Sequence, residues 1–311
     1  MAAIRADLLM RSQRPDELET RGVEARVLAR GPWQIEAGRG ISVTIRPRPF
    51  DGGRRRNTVH DRAEVVWRRH LAQGRPTYGR PPEPPGLLRL SSSSDLGSRG
   101  LHLVVQPTWY FTLLGTNVAA ESTEWTLPPS TTAESLDLSD LASSELANPL
   151  TVNLAIVAGS GRNRAVLIQR RGVAVANAAE LYQVSAAGYV DNADALLPAG
   201  AVWGAAIREA GEETGIQLEP TQIVWLTLCR MTRRFFPGLC GVAHVEEFPE
   251  LRTSPDHDAS ELDGLEWWPW DPQAIASRVH DAGGWRRFVP LGAAALLAAL
   301  ASDFGELPPS D

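Results

Sequence analysis

Cysteine is nearly absent. Two thiols, Cys229 and Cys240, in 311 residues exclude a disulfide framework and a four-thiolate zinc site. Both lie in apolar, strand-like runs and read as buried, reduced thiols. Long hydrophobic runs are absent as well. The longest, Phe288 to Leu300, is Ala-rich and falls short of the ~20 residues that span a bilayer, so it reads as a packed C-terminal helix. The N-terminal stretch lacks the apolar core of a secretory signal, and the chain reads as cytoplasmic, with no membrane partner. Nor is there an excess of positive charge. A net charge of −6 gives no electrostatic reason to expect nucleic acid as a partner. The short clusters Arg54-Arg55-Arg56 and Arg68-Arg69 read as solvated, and no internal repeat is present.

What is there is an ordinary globular composition, 43% hydrophobic and 22% charged, in a chain long enough for one large domain or two modest ones. Ala119 to Pro149 is rich in Ser, Thr and Pro and reads as a linker or irregular connection. It separates an N-terminal region, 1–148, from a second unit, 149–305. Before it, a strand is expected at Ile41–Ile45, a helix over Asp61–Leu71, and strands at Leu87–Leu90 and Leu101–Val105. After it, Leu154–Val157 and Ala165–Gln169 flank Gly159-Ser-Gly-Arg-Asn163 and read as a hairpin. Leu181–Val190 reads as one strand and Ala199–Thr214 as a helix ended by Gly215. Strands are expected at Ile223–Cys229, Leu239–Val245 and Leu265–Trp268. The helical tail Ala274–Leu300 breaks at Gly283-Gly284. This order predicts an α/β sandwich around a mixed sheet.

The segment with the most chemistry is Arg208-Glu-Ala-Gly-Glu-Glu-Thr-Gly-Ile216. On a helix, Glu209, Glu212 and Glu213 stand at i, i+3 and i+4 and share one face. Ile207, Ala210, Gly211 and Thr214 are small or apolar and suit packing on a sheet. Like charges at these spacings repel, and the macrodipole disfavours anions near a helix C-terminus. A hard divalent cation relieves both penalties, and Mg²⁺ prefers such oxygens. The bland alternative is a solvated acidic helix end.

The pattern R-E-x-x-E-E-x-G followed by an apolar residue resembles the second half of the Nudix box, the signature of the Nudix hydrolase superfamily. The match covers Arg208, Glu209, Glu212, Glu213, Gly215 and Ile216. The resemblance implies a Nudix-type α/β/α sandwich, with an N-terminal α/β region packed on it. It implies metal-dependent hydrolysis of a nucleoside diphosphate linked to another moiety, with Mg²⁺, or alternatively Mn²⁺, held by Glu209, Glu212 and Glu213. The first half of the box departs from the pattern. The family carries a glutamate eight residues before the arginine, where this chain has Gly200. The leading glycine matches Gly188, so the loop, with an insertion over Asn192–Gly200, is about six residues longer than usual.

By the same resemblance, Ala165-Val-Leu-Ile-Gln-Arg170-Arg171 corresponds to an early strand ending in a basic residue near substrate, which nominates Arg170. Glu261, in Glu261-Leu-Asp-Gly-Leu-Glu-Trp267, reads either as a further metal- or water-directed acid or as a loop charge. His257 is a weaker candidate base. Arg208 is expected to orient the glutamates by ion pairing. The segments Glu64-Val-Val-Trp67, Gly97-Ser-Arg-Gly100, Tyr110, Leu114-Gly-Thr-Asn117 and Leu146-Ala-Asn-Pro-Leu150 appear in the same order in the animal branch of the family that hydrolyses UDP-glucose and UDP-galactose. That nominates Arg99 and Asn117 as substrate contacts, UDP-sugars as substrates, and UMP with sugar 1-phosphate as products. Read without the resemblance, Gly115-Thr116-Asn117 is equally a turn closing the N-terminal region on the rest. Other readings are hydrolysis of ADP-ribose, coenzyme A or dinucleotides, and a non-catalytic ligand-sensing module of the same fold.

Overall fold

The computed structural model describes residues 18, 21–35, 40–74, 79–119, 146–172, 180–197, 199–252 and 262–305. Most of the expected connection Ala119–Pro149 lies outside them, including Leu138-Ser-Asp-Leu141, whose sequence suggests the start of a short helix.

Eleven named strands form two sheets among the described residues. In the larger, the order is β1 (Ala25–Trp33), β9 (Ile223–Met231), β10 (Pro237–Val245), β5 (Thr151–Ala158), β6 (Ala165–Arg171) and β11 (Leu262–Pro269). β10 and β5 run parallel and the other neighbours antiparallel, so the sheet is mixed, as expected. The smaller sheet has β2 (Gly40–Ile45) and β3 (Leu87–Asp95) flanking β4 (Gly100–Thr108).

The β5–β6 hairpin appears where Gly159–Asn163 predicts it, but the two strands pair only at its closed end, through Val157–Val166 and Ala158–Ala165. They then splay, and β7 (Tyr182–Val184) and β8 (Ala186–Tyr189) fill the fork, β7 on β6 and β8 on β5. The single strand expected over Leu181–Val190 is thus two. Ser185 marks the break: its hydroxyl donates to Leu167 O at 2.6 Å and accepts from Ile156 N at 3.0 Å. One side chain replaces ladder bonds to both arms of the fork.

Both faces of the large sheet are covered, which is why all eight residues of β5 are buried. Along β5, Ala155 and Val157 join one core and Leu154 and Ile156 the other. The first core packs under helix α5 (Pro290–Phe304) with α4 (Pro272–Asp281), and includes residues of α1 (Arg56–Ala72) and α2 (Tyr110–Leu113). The second holds helix α3 (Ala201–Thr214) between the large sheet and the three-stranded one. No helix among the described residues is long and apolar enough to cross a membrane.

The N-terminal region is tied into this architecture. Strand β1, which no clear alternation announces in the sequence, is an edge strand of the large sheet. β3 bonds to the β8 end and to the start of β5, through Leu88 N to Val190 O and Leu150 N to Leu88 O. A buried polar seam joins the π-helical turn Leu114–Val118, which follows α2, to residues 147–148. Asn117 is fully buried. Its amide donates to Arg234 O at 2.8 Å and its carbonyl accepts from Asn148 N at 3.0 Å. Thr116 Oγ1 accepts from Ala147 N at 3.1 Å. Asn117, nominated above as a substrate contact, is therefore a closure residue: its polar atoms are consumed inside the protein and it offers no surface to a ligand.

Replacing Asn117 by Ala leaves the buried Asn148 N–H and the part-buried Arg234 carbonyl without this partner, which costs about 1–3 kcal/mol. Urea unfolding of Asn117→Ala should show a loss of that size, and a loss below about 0.5 kcal/mol would contradict the closure role.

Candidate active site

Helix α3 carries the three glutamates at its C-terminal end, and its termini are set by glycine. Gly215 closes it at φ 76, with its N–H on Gly211 O, the left-handed cap expected from the sequence. The body is alanine-rich, and Ala205, Ala206 and Ala210 are fully buried, so the helix sits close on the sheet.

The three carboxylates do not share one environment. Glu213 is buried; its Oε2 accepts from Ala187 N on β8 at 2.9 Å, and Gln169 Nε2 on β6 lies 3.5 Å from both its oxygens. Glu209 is nearly as buried, at 12% side-chain exposure, whereas Glu212 is half exposed at 47%. Gly188, the glycine nominated from the sequence, faces Glu209: a Cβ there would stand 1.9 Å from Glu209 Oε1. A side chain at 188 would displace the Glu209 carboxylate from this position against β8.

Arg208 binds the group together. Its Nη1 donates to Glu209 Oε1 at 2.8 Å and Glu212 Oε2 at 3.0 Å. Its Nε and Nη2 donate to Asp194 Oδ1 and Oδ2 at 3.0 and 3.1 Å, and Nη2 also to Tyr189 O at 3.0 Å. The expected ion pairing within the helix–loop unit is thus observed. Asp194, in the loop between β8 and α3, is a member that sequence reasoning did not single out. Asp191, just after β8, is another, since its charge acts on Glu209 and Arg208.

Electrostatics here are dominated by burial of like charge. Burial, with help from Glu212 and Asp191, pushes Glu209 up to about 7 against the pull of Arg208. Burial and Glu209 push Glu213 up to about 8, opposed by the Ala187 N–H, Arg171 and Gln169. Asp191 rises to about 6, chiefly through burial, with Arg208 opposing and Asp194 and Glu212 adding. Arg208 itself is held above its usual range: burial disfavours its charge, and Asp194, Glu209 and Asp191 outweigh that.

Hard carboxylate oxygens in surplus over nearby cationic groups, two of the three carboxylates desolvated, are the donor chemistry that suits Mg²⁺ or Mn²⁺, and on that ground Glu209, Glu212 and Glu213 fit the ion. Among the described residues no group of three or more His, Cys, Asp or Glu converges on one point as placed; one oxygen each of Glu209 and Glu212 is turned onto Arg208 instead.

The remaining nominees fall elsewhere. Arg170, nominated as a substrate contact, does not face the glutamates. Along β6, Leu167 belongs to the core on the α3 side and Val166 and Ile168 to the core on the other. Strand alternation then puts Gln169 and Arg171 toward Glu213 and turns Arg170 away, where it pairs with Asp263 at 3.2 Å. Arg171 is the basic residue whose charge bears on Glu213. Its Nη1 donates to Gln183 Oε1 at 3.3 Å, and among the described residues its buried Nε has no hydrogen-bond partner. The signal that could have found it is parity with Leu167. Arg99 is exposed on the 3-10 turn between β3 and β4. Glu261 and His257 lie outside the described residues.

No protein-family model matches this chain, and no curated protein matches it. Solved structures share partial likeness. A MutT/nudix family protein from Enterococcus faecalis is 17% identical, over 39% of this chain and 43% of that one, with a TM-score of 0.31. This chain thus spans less than half the length of that protein. The NUDIX domain of Shewanella oneidensis NrtR, solved with ADP ribose, is 18% identical over 43% and 77%, with a TM-score of 0.32. A NUDIX hydrolase from Alicyclobacillus acidocaldarius is 15% identical over 51% and 96%, with a TM-score of 0.38.

The raised carboxylates fix a pH dependence. A carboxyl whose pKa is about 7 or 8 when folded and about 4.5 when unfolded holds its proton more tightly in the native state. Stability without metal is therefore highest below pH ~4.5 for these groups and is lost as pH rises to about 8. The slope is at most ~1.4 kcal/mol per pH unit per group. Thermal melts in EDTA should show Tm falling from pH 5.5 to 8, with Mg²⁺ restoring it most at the upper end. Glu213→Gln should flatten the fall, and a Tm that rises over this interval in the wild-type protein contradicts the assignment.

Proposed function

We propose that this chain is a divalent-metal-dependent pyrophosphohydrolase of the Nudix type. On this reading it cleaves a nucleoside diphosphate joined to another group, with UDP-glucose and UDP-galactose as its substrates. The observation that carries the reaction class is the pair of buried carboxylates, Glu209 and Glu213, pressed against the bare backbone of Ala187 and Gly188 and tied to Glu212 through Arg208. The choice of UDP-sugars rests on the ordered residue matches from Glu64 to Leu150.

Glu209, Glu212 and Glu213 hold the cation in this reading. When bound, Mg²⁺ or Mn²⁺ neutralises phosphate oxygens and lowers the pKa of bound water. Water attacks one phosphorus of the pyrophosphate, the bridging P–O bond breaks, and the water's proton passes to a carboxylate of the trio. Glu212, the half-exposed member, has the solvent access to hand a proton on. In this reading Arg171 steadies a phosphate; what supports it is that its charge bears on Glu213 and that among the described residues its buried Nε has no hydrogen-bond partner. Arg208, with its donors taken up by the protein, orients carboxylates and does not touch substrate. With UDP-glucose the products are UMP and glucose 1-phosphate.

Two measurements test this. Glu213→Gln removes a charge at constant volume and should lower Mg²⁺-dependent turnover at least tenfold with a native fold; undiminished turnover at limiting metal would sink the metal-site reading. In a panel under one Mg²⁺ concentration, kcat/KM for UDP-glucose should exceed that for ADP-ribose by roughly tenfold to a hundredfold. That range corresponds to the ~1–3 kcal/mol of a buried polar group mispaired by the wrong base. Parity, or a preference for ADP-ribose, rejects the UDP-sugar reading and leaves the hydrolase reading standing.

A further inference from the structure

Arg208 has five N–H donors, and five acceptors meet them: Asp194 through both oxygens, Tyr189 O, and one oxygen each of Glu209 and Glu212. The distribution is uneven. Asp194 takes the Nε–Nη2 edge as a two-point clamp, so only Nη1 reaches the glutamates. Asp194 is itself held, at 2% exposure, with its Oδ2 accepting the Asp191 N–H at 2.8 Å. It sits on the short 3-10 turn Asp194–Leu196, inside the loop inserted between β8 and α3, and Gly204 of α3 packs against its carbonyl.

We propose that Asp194 is a positioning residue for the metal-binding carboxylates: by clamping Arg208 edge-on, it rations that guanidinium to one nitrogen and keeps Glu209 and Glu212 available to a divalent cation. This rests on the metal-dependent reading above. A guanidinium released from Asp194 would turn its free edge onto the same two carboxylates, because its Nη1 already contacts both. It would then form the two-point Arg–carboxylate pair that competes best with a cation. The inserted loop therefore has a task beyond spanning β8 and α3: it delivers the anion that counterbalances the glutamates' own arginine.

The test is Mn²⁺ binding, read by electron paramagnetic resonance of the free ion, with hydrolysis measured alongside. Asp194→Asn keeps the shape but presents an amide where Arg208 needs an anion. It should raise the Mn²⁺ Kd about tenfold. It should also raise the Mg²⁺ concentration needed for half-maximal turnover, with a smaller change in kcat at saturating metal. The decisive arm is the Arg208→Gln background, where adding Asp194→Asn should change the Mn²⁺ Kd by less than twofold. Wild-type Mn²⁺ affinity in Asp194→Asn, or an equal loss in both backgrounds, overturns the proposal, since Asp194 would then act on the fold and not through Arg208. If Asp194→Asn does not fold, Asp194→Ser replaces it: it removes the clamp and leaves Arg208 intact, so its Mn²⁺ Kd should rise similarly, and unchanged affinity overturns the idea. A wild-type protein that binds no Mn²⁺ removes the metal reading itself, and this proposal with it.

Discussion

One guanidinium, that of Arg208, sets the terms for the acidic end of α3. Burying carboxylates beside one another is costly, and Glu209 and Glu213 are both largely withdrawn from water with their proton affinities raised. The cost is tolerable because Arg208 neutralises part of the charge and Ala187 N–H and Gln169 approach Glu213. The remainder is an unmet demand for positive charge at a defined place. A fold seldom keeps such a demand unless something else supplies the charge during function.

The splayed β5–β6 hairpin makes that place possible. β8 enters the fork on β5, and its backbone at Ala187 and Gly188 comes within contact of α3. Ser185 bridges both arms and fixes where β7 gives way to β8. Glycine at 188 leaves room for the Glu209 carboxylate against β8, where a methyl group would overlap it. The small, buried face of α3 serves the same end, since bulkier residues would lift the glutamates away from β8.

The N-terminal region contributes to the same body. β1 extends the large sheet, the three-stranded sheet covers α3, and the seam through Thr116, Asn117 and Asn148 closes the contact with hydrogen bonds rather than apolar area alone. Segments that looked in sequence like ligand-contacting motifs are here partly structural. Polar residues in a short turn serve either purpose, and burial separates the two.

Local regularity made much legible from the residues alone. The i, i+3, i+4 spacing of Glu209, Glu212 and Glu213, the glycine stop at Gly215, the hairpin around Gly159–Asn163 and the helix break at Gly283-Gly284 all depend on neighbours a few positions apart, so the chain encodes them directly. Strand β1 escaped because register shifts between Val27 and Ala29 and between Arg30 and Trp33 break its alternation, Gly31-Pro32 stands inside it, and its place depends on β9, far along the chain. Arg171 rather than Arg170 faces Glu213 because strand parity is set by which face meets α3, which no local window contains. Asp194 was invisible for the same reason: its importance lies in reaching Arg208 across an irregular loop, and only the folded chain brings that carboxylate and that guanidinium together. Periodicity along one element thus identified the acidic cluster, while tertiary packing decided which of its members are buried, which charge balances them, and which apparent contacts belong to the core.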